Sequence, residues 1–238
     1  MDEAVFQSRL KVGIGDSDLW KLRKKTAFLT TQAFSLVGQA LRSRTDLTND
    51  DSEAILAMGT LLQMAGELGF AASRMLSGKE HYAGCALLRQ IVEIEYLTWT
   101  FKEGHGSVTD WLNSTHEERM RVFSPRQLRS NSKGRFLFKD YQDHCEQGGH
   151  PVPRGIPLLG GQEIGMAQVM LVDLLTHCWR TWDQVCQWFI KLDNAHEIGF
   201  PSAGAKISYW FNEWGTQDPI YALMIESKPD PATDQQSR

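Results

Sequence analysis

The stretch from Lys79 to Lys102, KEHYAGCALLRQIVEIEYLTWTFK, decides the fold. Tyr82, Ala83, Ala86, Leu87, Ile91, Ile94, Leu97 and Phe101 recur at helical spacing and form one apolar stripe. Cys85, Leu88, Val92, Tyr96 and Trp99 carry the apolar surface round the cylinder. A helix that is apolar on most sides belongs at the centre of a bundle. A narrow polar line remains, made by Arg89, Glu93 and Thr100. With roughly 100° between successive residues, that line is only about 40° wide. Charges in such a setting need partners. Arg89 and Glu93, one turn apart, are therefore expected either to pair and fix helix register or to serve in a site.

Helical patterning continues on both sides of this segment. Helices are predicted from about Ser17 to Arg44, after Gly13, Gly15 and Asp16, and from about Glu53 to Leu76. Thr48, with Asp51 three residues on, resembles a helix cap. Gly59, Gly66 and Gly69 lie inside the second of these helices, where each costs up to about 1 kcal/mol against alanine. Close approach of a neighbouring backbone is the expected compensation. A fourth helix is predicted over 108–123, ended by Ser124-Pro125, and a short one within 135–147. A long amphipathic helix follows from about Gln162 to Leu192. Its apolar stripe is Ile164, Ala167, Leu171, Leu174, Cys178, Trp182, Val185 and Phe189. Asp173, His177, Arg180, Gln184, Gln187 and Lys191 form the opposite stripe, expected to face water. A shorter helical piece beyond Pro201 holds Tyr209, Trp210, Phe211 and Trp214. Hairpin signals are absent. The reading is an all-α, single-domain multi-helix bundle over residues 1–226 with a disordered polar tail over 227–238.

Bulk properties narrow the function classes. The chain of 238 residues is 42% hydrophobic and carries a net charge of −4. Its start, Met1-Asp2-Glu3, is unlike a secretion signal. No uncharged run reaches the roughly 18 residues of a membrane span. Cys85, Cys145, Cys178 and Cys186 form no Cys-x-x-Cys pair, so free thiols in a cytoplasmic protein are expected. Nucleotide-loop, dinucleotide, serine-hydrolase and zinc-protease motifs are missing. No cofactor is implied.

Three constellations can carry chemistry. Asp140-Tyr141-Gln142-Asp143-His144-Cys145-Glu146 leads into Gly148-Gly149-His150-Pro151. The glycines end that helix and Pro151 stiffens the loop bearing His150, which makes His150 and His144 candidate acid–base groups. Carboxylate and histidine also stand four apart at Asp140/His144 and Asp173/His177. Without the Glu-x-x-His of bundle di-metal sites, and with His177 on a polar stripe, no metal site is expected. Finally, Arg119, Arg121, Arg126, Arg129, Lys133, Arg135 and Lys139 follow one another with no intervening acid, leaving 18 positive against 29 negative residues elsewhere. Phe123, Phe136 and Phe138 are interleaved, a composition suited to single-stranded nucleic acid. Pairing with Glu117 and Glu118 on a solvated surface is the alternative.

Leu87-Leu88-Arg89-Gln90-Ile91-Val92-Glu93, followed by Asp140-Tyr141 and the loop histidine His150, resembles bacterial helical-bundle proteins of uncharacterised function, and these are similar to the HEPN group. The likeness spans roughly residues 55–190. It implies a HEPN-like bundle of the kind found in RNase toxins and phage-defence proteins, with RNA as partner. In a metal-independent cleavage His150 or His144 would be the general base and Arg89 would stabilise the phosphorane charge, with Glu93 beside it. HEPN nucleases space Arg and His by four to six residues. Arg135 and His144 are too far apart for that; Arg74 and His81 fit, but flank a turn at Ser77-Gly78. The competing reading is a non-catalytic scaffold that self-associates as a homo-oligomer through the aromatic piece at Tyr209–Trp214.

Overall fold

A computed structural model describes residues 3–44, 51–161, 164–192 and 200–226. The expected cap at Thr48 and the expected loose tail from Ser227 lie outside these residues. Among the described residues there are helices and turns and no strand. The all-α expectation therefore holds.

Four long helices make the frame: α2 (Ser17–Arg42), α3 (Asp51–Ser77), α4 (His81–Glu103) and α9 (Ile164–Ile190). The helix quoted at the outset, α4, is central, packing on α3 and on α9. Its Cys85, Leu88, Ile91 and Val92 are at most 1% exposed. The α2–α3 contact is the tightest, and glycines explain it. A Cβ on Gly38 would meet the backbone nitrogen of Gln63 at 2.5 Å, and one on Gly66 would meet Thr31 O at 2.7 Å. On α3 one mean stretch is long and apolar enough to cross a membrane by length and composition; half of that stretch is buried inside the bundle.

Shorter helices differ from the sequence expectation in instructive ways. Gly13 and Gly15 do not precede the first helix; they end an earlier one, α1 (Glu3–Gly15). Asp16 then caps α2 by accepting from the backbone N–H groups of Asp18 and Leu19. The helix expected over 108–123 is two helices, α5 (Val108–Asn113) and α6 (His116–Val122). A capping box divides them: the N–H of Glu118 donates to Thr115 Oγ1, and the N–H of Thr115 donates to Glu118 Oε2. The basic segment is not loop throughout, because Ser124-Pro125 starts α7 (Pro125–Asn131). The short helix within 135–147 is α8 (Phe138–His144), running into a π turn at Cys145–Gly149. Short 3-10 turns occupy Pro153–Gly161.

The C-terminal part closes the bundle with α10 (Phe200–Gly215) and α11 (Pro219–Glu226). Phe211 and Trp214 are at most 2% exposed, with Phe211 packed on Phe34 and Trp179. Of the aromatic cluster expected to mark an interface, only Tyr209 lies mostly open, at 63%. The others serve the core.

Candidate functional site

The polar stripe of α9 is where structure and sequence part company most. Asp173, His177 and Gln184 do not face water: His177 and Gln184 are buried, and the Asp173 side chain keeps one-fifth of its surface open. His177 and Gln184 of the stripe are turned onto α4, which answers with Glu95 and Thr98, both buried, while Gln187 and Lys191 stay exposed as expected. Thr98 Oγ1 donates to Gln184 Oε1 at 2.6 Å. Glu95 Oε2 accepts from His177 Nδ1. Two polar lines on two apolar helices are each other's partners, as the cost of burying unpaired polar groups demands.

At the outer end of this seam stands His144, the last residue of α8. Its Nδ1 donates to the carbonyl oxygen of Asp140 at 2.6 Å; a carbonyl only accepts, so Nδ1 carries the hydrogen. Its Nε2 is thereby aimed at Asp173, 2.8 Å from Oδ2. His177 directs its own Nε2 at the other oxygen, Oδ1, at 3.4 Å. The two imidazoles meet edge to face with ring centres 5.2 Å apart. Asp173 is thus clamped between two imidazoles, and each imidazole is oriented from behind by a second oxygen.

Glycine brings α8 to this position. A Cβ on Gly148 would lie 2.8 Å from the backbone nitrogen of Ala86 on α4, and one on Gly149 would lie 2.6 Å from Arg89 Cδ. The π turn therefore rests directly on α4, and His144 is delivered to α9 from the turn before it. π turns of this kind are frequent at functional sites. The cluster opens into a cleft of about 300 Å³ lined also by Asp143, Gln147 and Arg180.

Charge in the cluster is strongly biased. Burial opposes protonation of His177, but Asp173 and Glu95 outweigh it and hold the imidazole up at about 9. Burial likewise opposes ionisation of Asp173, yet His144 and His177 keep it well below the ordinary carboxylate range. Cys85, nearby on α4, is pushed up to about 12, first by burial and then by the charge of Asp173, so it is no nucleophile.

The residues expected to share a cleft divide into two groups. Arg89, Glu93 and Tyr141 do converge. Arg89 Nη2 lies 3.0 Å from Glu93 Oε1 and donates to Tyr141 Oη at 3.0 Å, and that hydroxyl donates to Glu93 at 2.9 Å. Burial, opposed by Arg89 and aided by Glu93, moves the Tyr141 phenol up to about 12. Arg129 stacks over the Tyr141 ring at 4.3 Å. His144 does not join this group, since it turns to Asp173. Nor does His150. Its side chain is exposed, and its backbone carbonyl accepts from Tyr82 Oη at 3.0 Å, so that residue anchors the loop through the main chain. Arg74 and His81 do not form a pair either: Arg74 stacks on Phe70, while buried His81 bonds the carbonyl of Gly78.

Of the basic segment, Arg119, Arg121, Arg126, Lys133, Arg135 and Lys139 are exposed, and Arg129 is half-buried. Phe136 is stacked on Tyr96 with centroids 4.0 Å apart, whereas Phe138 stands 61% exposed beside Arg129. Sequence reasoning missed Glu95 and misplaced Asp173 and His177. A signal existed for Glu95: it is a charge amid apolar residues on the central helix, as much in need of a partner as Arg89. No protein family, curated protein or solved structure matches the chain.

Proposed function

We propose that the protein is an RNA-directed, HEPN-like bundle that holds a single strand along its basic segment and cleaves it in the cleft at His144. The observation that carries this reading is the position of α8. Its first turn bears exposed Phe138 and Lys139, Tyr141 in its middle supports Arg129, and His144 at its end enters the cleft. Seven residues of helix extend only about 10 Å, so a strand stacked on Phe138 reaches the cleft within a nucleotide or two. Arg180 on the cleft wall supplies positive charge for a phosphate there. The reacting centre in this reading is the His144 cleft and neither Arg74/His81 nor Arg89/His150.

The test separates holding from cutting. A labelled single-stranded RNA is titrated by fluorescence anisotropy and its integrity followed on gels. The triple variant K133E/R135E/K139E should bind at least tenfold more weakly, with a shallower salt dependence, because each lost phosphate contact removes about 0.7 from the log–log slope. H144A should bind as the parent does and cut nothing. A parent that neither binds nor cuts RNA removes the reading.

A further inference from the structure

We propose that His144, Asp173 and His177 bind one divalent transition-metal ion, of the zinc or iron(II) class, with an open coordination position facing the cleft. The proposal takes from the RNA reading only the location of the reacting centre; it does not need RNA to be the substrate.

Geometry is the first support. One donor atom from each of the three side chains lies within 4.8 Å of the others. Asp173 and His177 are one turn apart on α9, and His144 comes from α8, so two helices share the load. Ligands about 2.0–2.1 Å from a tetrahedral ion stand roughly 3.3–3.5 Å from one another. The spacings to Asp173 are 2.8 Å for His144 Nε2 and 3.4 Å for His177 Nε2. The two contacts use different oxygens of Asp173, Oδ2 and Oδ1, and the shorter one, at His144, must open for the ion to enter.

Orientation is the second support. A metal-binding imidazole characteristically gives its other N–H to a carbonyl or carboxylate, which fixes its tautomer and raises its basicity. Both imidazoles here are held that way, His144 by the Asp140 carbonyl and His177 by Glu95. Both therefore present Nε2 to the same carboxylate. A bridge that only fixed helix register would need one imidazole, and would not need a second delivered by a separate helix across a π turn.

The donor set determines the class of ion. Two imidazoles and one carboxylate suit zinc or iron(II); calcium and magnesium prefer oxygen alone, and no thiolate enters the set. With three protein ligands, the next coordination position falls to water or substrate on the cleft side, beside Arg180 and Gln147.

The experiment loads purified full-length chain, freed of metal by chelator, with zinc or cobalt(II) and removes excess by gel filtration. Elemental analysis should give close to one equivalent, and cobalt should show the visible absorption of a low-coordinate nitrogen–oxygen site. H144Q and D173N should each retain less than one-fifth of that metal while keeping the parent's far-ultraviolet circular dichroism. Because H177A risks unfolding by stranding Glu95, H144Q at the cleft mouth is the decisive variant. Less than one-tenth of an equivalent in the parent, or equal loading in folded H144Q, overturns the proposal. RNA cleavage undiminished by chelator also overturns it while leaving the RNA reading intact. Metal bound with full stoichiometry to a chain inert toward RNA supports the metal centre and removes the RNA reading alone.

Discussion

At the scale of single residues, His177 is the group whose chemistry the fold alters most. Its imidazole is raised from an ordinary 6.5 to about 9 by Asp173 and Glu95 acting against burial. A group with a raised folded value binds its proton more tightly in the folded state. Its contribution to stability is complete below pH 6.5 and is lost as pH rises through about 9. At about 1.4 kcal/mol per pH unit, the metal-free protein should lose about 3 kcal/mol between those limits from this residue. Urea unfolding in chelator at pH 6 and pH 9.5 measures the loss. In H177Q the glutamine does not titrate, so the pH 6 to 9.5 difference should shrink by most of that amount. An unchanged difference would show that the cluster's protonation does not couple to folding. The sequence placed His177 on the right helix but on the wrong side of it. A polar stripe reads as solvent-facing when the helix is considered alone. Only the partner helix, with Glu95 and Thr98 in register, turns that stripe inward.

Helices divide by how much of their cause is local. The centrality of α4 and the extents of α2, α3 and α9 were legible because apolar periodicity over many turns is a property of the segment itself. The helical glycines were legible too, as a penalty that demanded a close neighbour. They predict opposite outcomes for one substitution. At Gly66 a Cβ would press on Thr31 O at 2.7 Å and also on Ser35, both from α2, so G66A should destabilise by about 1–3 kcal/mol or more. At Gly15 nothing lies within 4 Å of a Cβ, so G15A should be neutral or stabilise by up to about 1 kcal/mol. Thermal unfolding of the two variants checks both signs. Less was legible among the short helices. α1 was missed because its apolar residues do not gather on one face, and Val5 and Val12 remain exposed. The division of α5 from α6 was written in the sequence as Thr115-x-x-Glu118, at the end of the polar run from Asn113.

The whole molecule depends on contacts that no local pattern announces, and the clearest is Arg23. Its side chain is fully buried. It donates to both oxygens of Asp218, at 2.6 and 2.8 Å, to the carbonyl of Gly13 at 2.9 Å and to Gln168 Oε1 at 2.6 Å. Asp218 also accepts from Trp214 Nε1 and from the N–H of Ile220. One guanidinium thus ties α2 to the end of α1, to α9 and to the turn between α10 and α11. Sequence separations of 145 and 195 residues put these partners beyond any motif. The staple also bears on the cleft, whose wall includes Met170, two residues beyond Gln168, and Met224 of α11. R23M should cost about 3–5 kcal/mol, because it strands an ionised Asp218 in the interior. Adding D218N removes that stranded charge, although Trp214 and Ile220 bond different oxygens of Asp218 and the amide keeps an acceptor for only one of them. The double variant should therefore recover more than about 1 kcal/mol relative to R23M, as read by urea unfolding. A double variant no more stable than R23M would locate the cost in lost hydrogen bonds, at the Gly13 carbonyl, the Gln168 amide and the donor left without an acceptor at position 218, with little share for the ion pair.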